Sequence, residues 1–145
     1  MDINRNAPVI TRDEIVIAAP LSTVWKVLTD IAAWPEWQQD VNRASLEGPL
    51  AAGVVFHWST AGLDIASTIG ELVPLERIGW SGLAQGIMGV HVWRLAPVQN
   101  GVRVQTEESW DGEGVRRERD RMQQALDQSI RSWLERLKLA AETQE

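Results

Sequence analysis

Hydrophobic and polar positions divide the chain into blocks of two kinds. In "ITRDEIVIAAP", Ile15 and Ile17 fall on one side of an extended segment that Pro20 closes. In "LSTVWKVLTDI", Val24, Val27, Leu28 and Ile31 follow helical spacing. Pro35 disfavours α geometry at Trp34, so this helix is expected to stop before it, with a second short helix over 36–40. From there the period changes to two. Gly and Pro punctuation divides the middle of the chain into strands at about 41–47, 54–60, 63–73, 76–82, 87–96 and 102–110. Asn100-Gly101 is the strongest hairpin signal. The final block returns to helical spacing. Met122, Leu126, Ser129, Ile130, Trp133, Leu137 and Ala140 form one stripe. A helix over 115–141 is roughly 40 Å long at ~1.5 Å per residue.

Strand, two short helices, six further strands and a long amphipathic helix make an α+β arrangement. The expected architecture is a curved seven-stranded antiparallel sheet wrapped around the C-terminal helix. Residues 1–8 are polar and expected to be flexible, and 9–145 form a single domain.

Alternation also assigns a face to each strand residue. Phe56 and Trp58 point inward, followed by Ile65, Ser67 and Ile69, then Ile78 and Trp80, then His91, Trp93 and Leu95. On the last strand Val102, Val104, Thr106, Glu108 and Trp110 share that side, while Arg103, Gln105, Glu107 and Ser109 face out.

These blocks resemble the START/Bet v 1-like helix-grip superfamily, also called SRPBCC. The carriers are "IAAPLSTVWKVLTDIAAWPEW", "HVWRLAPVQNGVRVQTEESWDG" and the long final helix. The chain looks closest to the small polyketide cyclase/dehydrase-like members. The resemblance implies a helix-grip fold that binds a hydrophobic or amphipathic small molecule between sheet and helix. Some members catalyse, and many carry or sense. Departures narrow the choice. Without cysteine there is no Rieske cluster, "EGPLAAG" lacks the glycine-rich loop of the plant pathogenesis-related members, and 145 residues cannot hold a two-domain aromatase/cyclase.

Composition changes this picture in three places. A net charge of −6 argues against nucleic acid as a partner. No apolar run reaches the length of a membrane span, and "MDINRNAPVI" does not read as a signal peptide, so a cytoplasmic protein without membrane insertion is expected. Eight tryptophans against one phenylalanine and no tyrosine supply large flat surfaces that either fill a core or wall a cavity.

Polar residues on the apolar faces are the candidate chemistry. His91 can donate, accept or exchange a proton near neutrality, or it is simply buried, neutral and bonded to a neighbour. Glu108 is expected beside it on the adjacent strand, at one end of the cavity; Glu107 takes its place if a bulge shifts the phase. Arg119 falls on the buried stripe of the last helix. A charge there needs a partner, which is Glu108, an acidic ligand group or solvent at the helix end. His91 and Glu108 are therefore the catalytic candidates. The ligand-binding candidates are Phe56, Trp58, Ile69, Ile78, Trp80, His91, Trp93, Thr106, Glu108, Arg119, Met122 and Leu126. His57 and His91 lie on opposite faces, so no metal site is expected, and no cofactor either. A monomer or homodimer binding a small hydrophobic ligand is the expected state. A cofactor-free cyclase/dehydrase using His91 as general acid/base and a filled-core interaction domain are the alternatives.

Overall fold

The computed structural model describes residues 1–144; the last residue of the expected domain, 145, lies outside them. Strand β1 is Val9–Ile17, and helices α1, Leu21–Thr29, and α2, Trp34–Trp37, follow it with a 3₁₀ turn at Ile31–Ala33 between them. Six strands come next: β2 Val41–Leu46, β3 Val55–Thr60, β4 Leu63–Val73, β5 Arg77–Ala84, β6 Ile87–Val98 and β7 Gly101–Asp111. Two helices close the chain, α3 at Glu113–Arg117 and α4 at Arg119–Glu142.

The sheet has seven antiparallel strands in the order β1-β7-β6-β5-β4-β3-β2. It is a meander from β2 to β7, and β1 returns to pair with β7. Register shifts between Ile69 and Glu71 on β4 and between Val41 and Arg43 on β2 mark bulges, which bend and twist a sheet. The bent sheet holds α4 on its inner face. Leu126, Ile130, Trp133, Leu134, Leu137 and Ala141 of the helix are buried there with Val24 and Leu28 of α1 and Leu95, Val102 and Val104 of the sheet. Polar side chains of α4 fasten the edge strand. The Thr11 hydroxyl donates to Asp127 at 2.6 Å, Gln123 donates to the Ile10 carbonyl at 2.9 Å and Lys138 to that of Val16 at 2.9 Å.

Three expectations are corrected by the structure. First, α2 starts at Trp34 rather than beyond Pro35. Pro35 occupies the first turn, where its missing N–H costs no helical bond, and Trp34 adopts helical angles (φ −50°, ψ −41°). Second, the terminal helix is broken. Glu118 leaves helical geometry (φ −120°, ψ 41°) and separates α3 from α4. Third, residues 1–8 are not loose. They lie as a strap across the outer face of the sheet, with Ile3 buried, the Asn4 backbone N–H donating to the Ser109 hydroxyl oxygen (3.0 Å) and Arg5 bridging to Glu107 at 2.6 Å. Met1 seats its sulfur where glycines at 70 and 79 leave room. The β6–β7 hairpin turns where Asn100-Gly101 signals it, with Gln99-Asn100 as the central residues and Asn100 left-handed (φ 68°). Gly101 already pairs with Val98, and a Cβ there would stand 2.1 Å from the Ile17 carbonyl oxygen.

Candidate functional site

The interior is not filled. A cavity of about 590 Å³ opens between α4 and the far halves of β3 to β7. Its position follows from cross-strand register. Trp80, His91 and Glu108 stand opposite one another on β5, β6 and β7 and form one row on the inner face. In the next row toward the hairpin tips, Ser67, Gly82, Gly89 and Trp110 stand side by side. Two adjacent glycines remove the side chains that would have filled the space beneath α4. Trp58 and Trp80 from the sheet, Trp110 from β7 and Trp133 from the helix wall it; Ser129, Ser132 and Gln128 of α4 and Asp40 before β2 edge it.

Trp34 stops the cavity from running the length of the grip. It is fully buried, its indole N–H donates to the Leu28 carbonyl at 2.9 Å, and it packs against Phe56, Trp58, Trp80 and Trp133 at ring separations of 5.1 to 5.8 Å.

The polar centre is the Thr106–His91–Glu108 line. The Thr106 hydroxyl donates to the Val92 carbonyl at 2.9 Å. Its oxygen is therefore free to accept, and His91 Nε2 lies 2.8 Å away. That arrangement puts the ring proton on Nε2 and leaves the Nδ1 lone pair facing Glu108 Oε1 at 3.3 Å. The second carboxyl oxygen, Oε2, accepts the Trp110 indole N–H at 3.0 Å. His91 is flanked by the rings of Trp80 at 5.2 Å and Trp93 at 4.8 Å. Burial between two indoles pushes the imidazole pKa down to about 3. Burial also pushes Glu108 up to about 7, against the lowering effect of the Trp110 hydrogen bond. The two side chains have the spacing of an ion pair, but desolvation favours the neutral form of each.

Of the residues that sequence reasoning assigns to a ligand site, Trp58, Trp80, His91 and Glu108 line this cavity. Phe56, Ile69, Ile78, Trp93, Thr106 and Leu126 face inward as expected, but all are closed in the packed interior and do not line the cavity; Met122 is half-buried against that core. Glu107 faces out, where hydrogen bonds from Arg5 hold its carboxyl below the ordinary range. Arg119 is a correction. It is exposed near Asn6, Ala7, Pro8 and Arg116. Arg119 keeps the phase of Trp133, but it is the first residue of α4 and stands in an exposed first turn; Met122 is half-buried and Leu126 is the first buried residue of the helix. Sequence reasoning missed Gly82, Gly89, Trp110, Ser129 and Trp133 as cavity residues. The two glycines carry a signal, because both share the inward phase of Trp80 and His91, but Gly82 reads as turn punctuation and Gly89 as an ordinary strand position. Among the described residues no three His, Asp or Glu side chains gather as a metal cluster, and no helix is long and apolar enough to cross a membrane.

A curved antiparallel sheet gripping a C-terminal helix, with a cavity between them, defines the START-like class. The family profile "Polyketide cyclase / dehydrase and lipid transport" matches residues 8–142, and the chain belongs to that family. Solved structures agree in fold. A hypothetical protein from Helicobacter pylori superposes with a TM-score of 0.84 at 19% identity, covering 96% of this chain and 91% of that one. A START superfamily protein from Mycobacterium smegmatis gives 0.78 at 10% identity, covering 92% and 97%. The di-domain ARO/CYC BexL from the BE-7585A biosynthetic pathway gives 0.78 at 22% identity, covering 97% of this chain and 52% of that one. No curated protein matches.

Proposed function

We propose that the protein binds a flat hydrophobic or amphipathic small molecule in the cavity between the sheet and α4. The carrying observation is the cavity itself: about 590 Å³, walled by four tryptophans, with one polar pair at its inner end. Small-ligand sites have this size and this ratio of apolar wall to polar anchor. Indole faces supply stacking area, and the Glu108–His91 pair fixes orientation. Titration calorimetry with 2-naphthylmethanol, a flat neutral probe, tests the reading. The wild type should bind it. Gly89→Leu, which puts a side chain into the open space, should weaken binding at least about tenfold; a Cβ at residue 89 meets its nearest neighbour at 3.6 Å, so the fold accommodates it. No heat from the wild type with this probe would overturn the proposal.

A second reading is favoured by the buried carboxyl 3.3 Å from His91 at the inner end of the cavity. An acid whose pKa is near neutrality, opening onto an apolar cavity, suits general acid/base work on an enolisable substrate in a cofactor-free cyclase/dehydrase. In that reading Glu108 moves the proton, and His91, held by Thr106, positions it. Turnover of β-keto substrates with a kcat that falls about a hundredfold in Glu108→Gln at unchanged KM would support it; equal turnover in the variant would end it.

A further inference from the structure

Resting on the binding proposal above, we infer that the cavity takes a lipophilic organic cation: a protonated amine on a flat apolar body, with its N–H groups on Glu108 and its charge against the indole walls.

Three observations support this class of ligand. The first is the sign of the lining. The ionisable groups that face the cavity are Glu108 from β7, His91 from β6 and Asp40 before β2; β3, β4, β5 and α4 contribute none, and no Lys or Arg lines it. Asp40 is paired with Arg136 of α4 at 3.0 Å, which leaves Glu108 as the unbalanced acid. An anionic guest would meet a carboxyl with no cation to receive it.

The second is hydrogen-bond direction. Thr106 fixes the proton of His91 on Nε2, so Nδ1 is an acceptor. Glu108 Oε1 is the second acceptor, 3.3 Å away. Two acceptors so close require a donor between or before them. In the empty cavity the carboxyl proton serves. An ammonium brings up to three N–H donors and replaces it. A carboxylate or phosphate guest brings none.

The third is the wall. Trp58, Trp80, Trp110 and Trp133 line the space, and a cation over an indole face is attracted by its quadrupole.

The exchange balances. The amine enters already charged, Glu108 gives its proton to the buffer, and the cavity ends with one carboxylate and one ammonium. Below the pH at which Glu108 ionises, one proton leaves per amine bound, so affinity rises about tenfold per pH unit and then levels off.

Calorimetric titrations of 2-naphthylmethylamine, 2-naphthylmethanol and 2-naphthoic acid near pH 6 and near pH 8, in buffers of different ionisation enthalpy, decide the matter. The amine is expected to bind at least about tenfold more tightly than the alcohol near pH 8, with the acid weakest. Near pH 6 the amine should release close to one proton. Glu108→Gln should lose the amine preference, and a cooperative urea transition of the variant shows that it is folded. Should that variant not fold, the wild-type proton release and the order of the three probes still decide. Binding of the acid as tight as that of the amine, equal amine and alcohol affinities, or an amine preference that survives Glu108→Gln overturns the inference while the cavity reading stands. No binding by any of the three overturns both.

Discussion

Glu108 and His91 make opposing contributions to stability as pH changes. Burial raises the folded Glu108 carboxyl from its ordinary 4.5 to about 7, so its contribution is full in acid and is lost as pH rises from the unfolded value through 7. His91 stays neutral when folded, at about 3 against 6.5, so its contribution is full above 6.5 and is lost as pH falls toward 3. Between 4.5 and 6.5 the two slopes cancel. Glu108→Gln removes the alkaline loss while keeping the shape and a donor. It should be more stable than wild type near pH 8, by up to about 3 kcal/mol, and nearly equal near pH 4, as urea unfolding at the two values measures. A variant no more stable than wild type near pH 8 would show that Glu108 is not held neutral by burial. Trp93 is a different case. It is fully buried away from the cavity, so Trp93→Ala should cost about 3–5 kcal/mol of unfolding free energy, a cost set by packing rather than by any ligand. At this scale the alternation of "GVHVWRLAP" was enough to place His91 and Trp93 inside. It could not separate the residue that meets the cavity from the one packed behind it, because both have the same phase and differ by one row.

Elements were legible wherever a period ran uninterrupted. The strands of the meander appeared almost in place, whereas the segments that depend on a single residue did not. Glu118 interrupts the last helix without Gly or Pro to announce it, and Arg119 therefore opens α4 in an exposed first turn ahead of the buried stripe. The strap was illegible for another reason. "MDINRNAP" contains two large apolar residues, and what holds them is the shape of the outer face. A Cβ at residue 79 would stand 2.7 Å from the Met1 sulfur and 2.9 Å from Cγ1 of the buried Val92; one at residue 70 would meet only the flexible Met1 side chain, at 2.8 Å. Gly79→Ala should therefore destabilise by about 1–3 kcal/mol, and Gly70→Ala by clearly less. Comparing the two denaturation midpoints checks this. Equal losses would mean that the strap and Val92 yield together.

For the molecule as a whole, the helix-grip architecture could be read from element order, since a bent meander with one amphipathic helix has few other ways to bury both apolar faces. The cavity could not be read directly, because it consists of atoms that are missing: the side chains of residues 82 and 89. A guest that occupies it binds the folded state alone and must raise stability. At a free concentration of one hundred times Kd the gain is about 2.7 kcal/mol, so the melting temperature with saturating 2-naphthylmethanol should rise by several degrees in the wild type and stay put in Gly89→Leu. A rise of the same size in both would place the binding elsewhere.

Six of the eight tryptophans, Trp34, Trp37, Trp58, Trp80, Trp93 and Trp133, form one linked set with ring separations of 5.1 to 6.5 Å. Chromophores that close exchange excitation faster than they emit, so light absorbed by any one of them is shared by all. Three of the set are cavity walls. A guest lying against a single ring would dim the emission of the whole group, and the chain thereby carries a built-in optical readout of whether its interior is occupied.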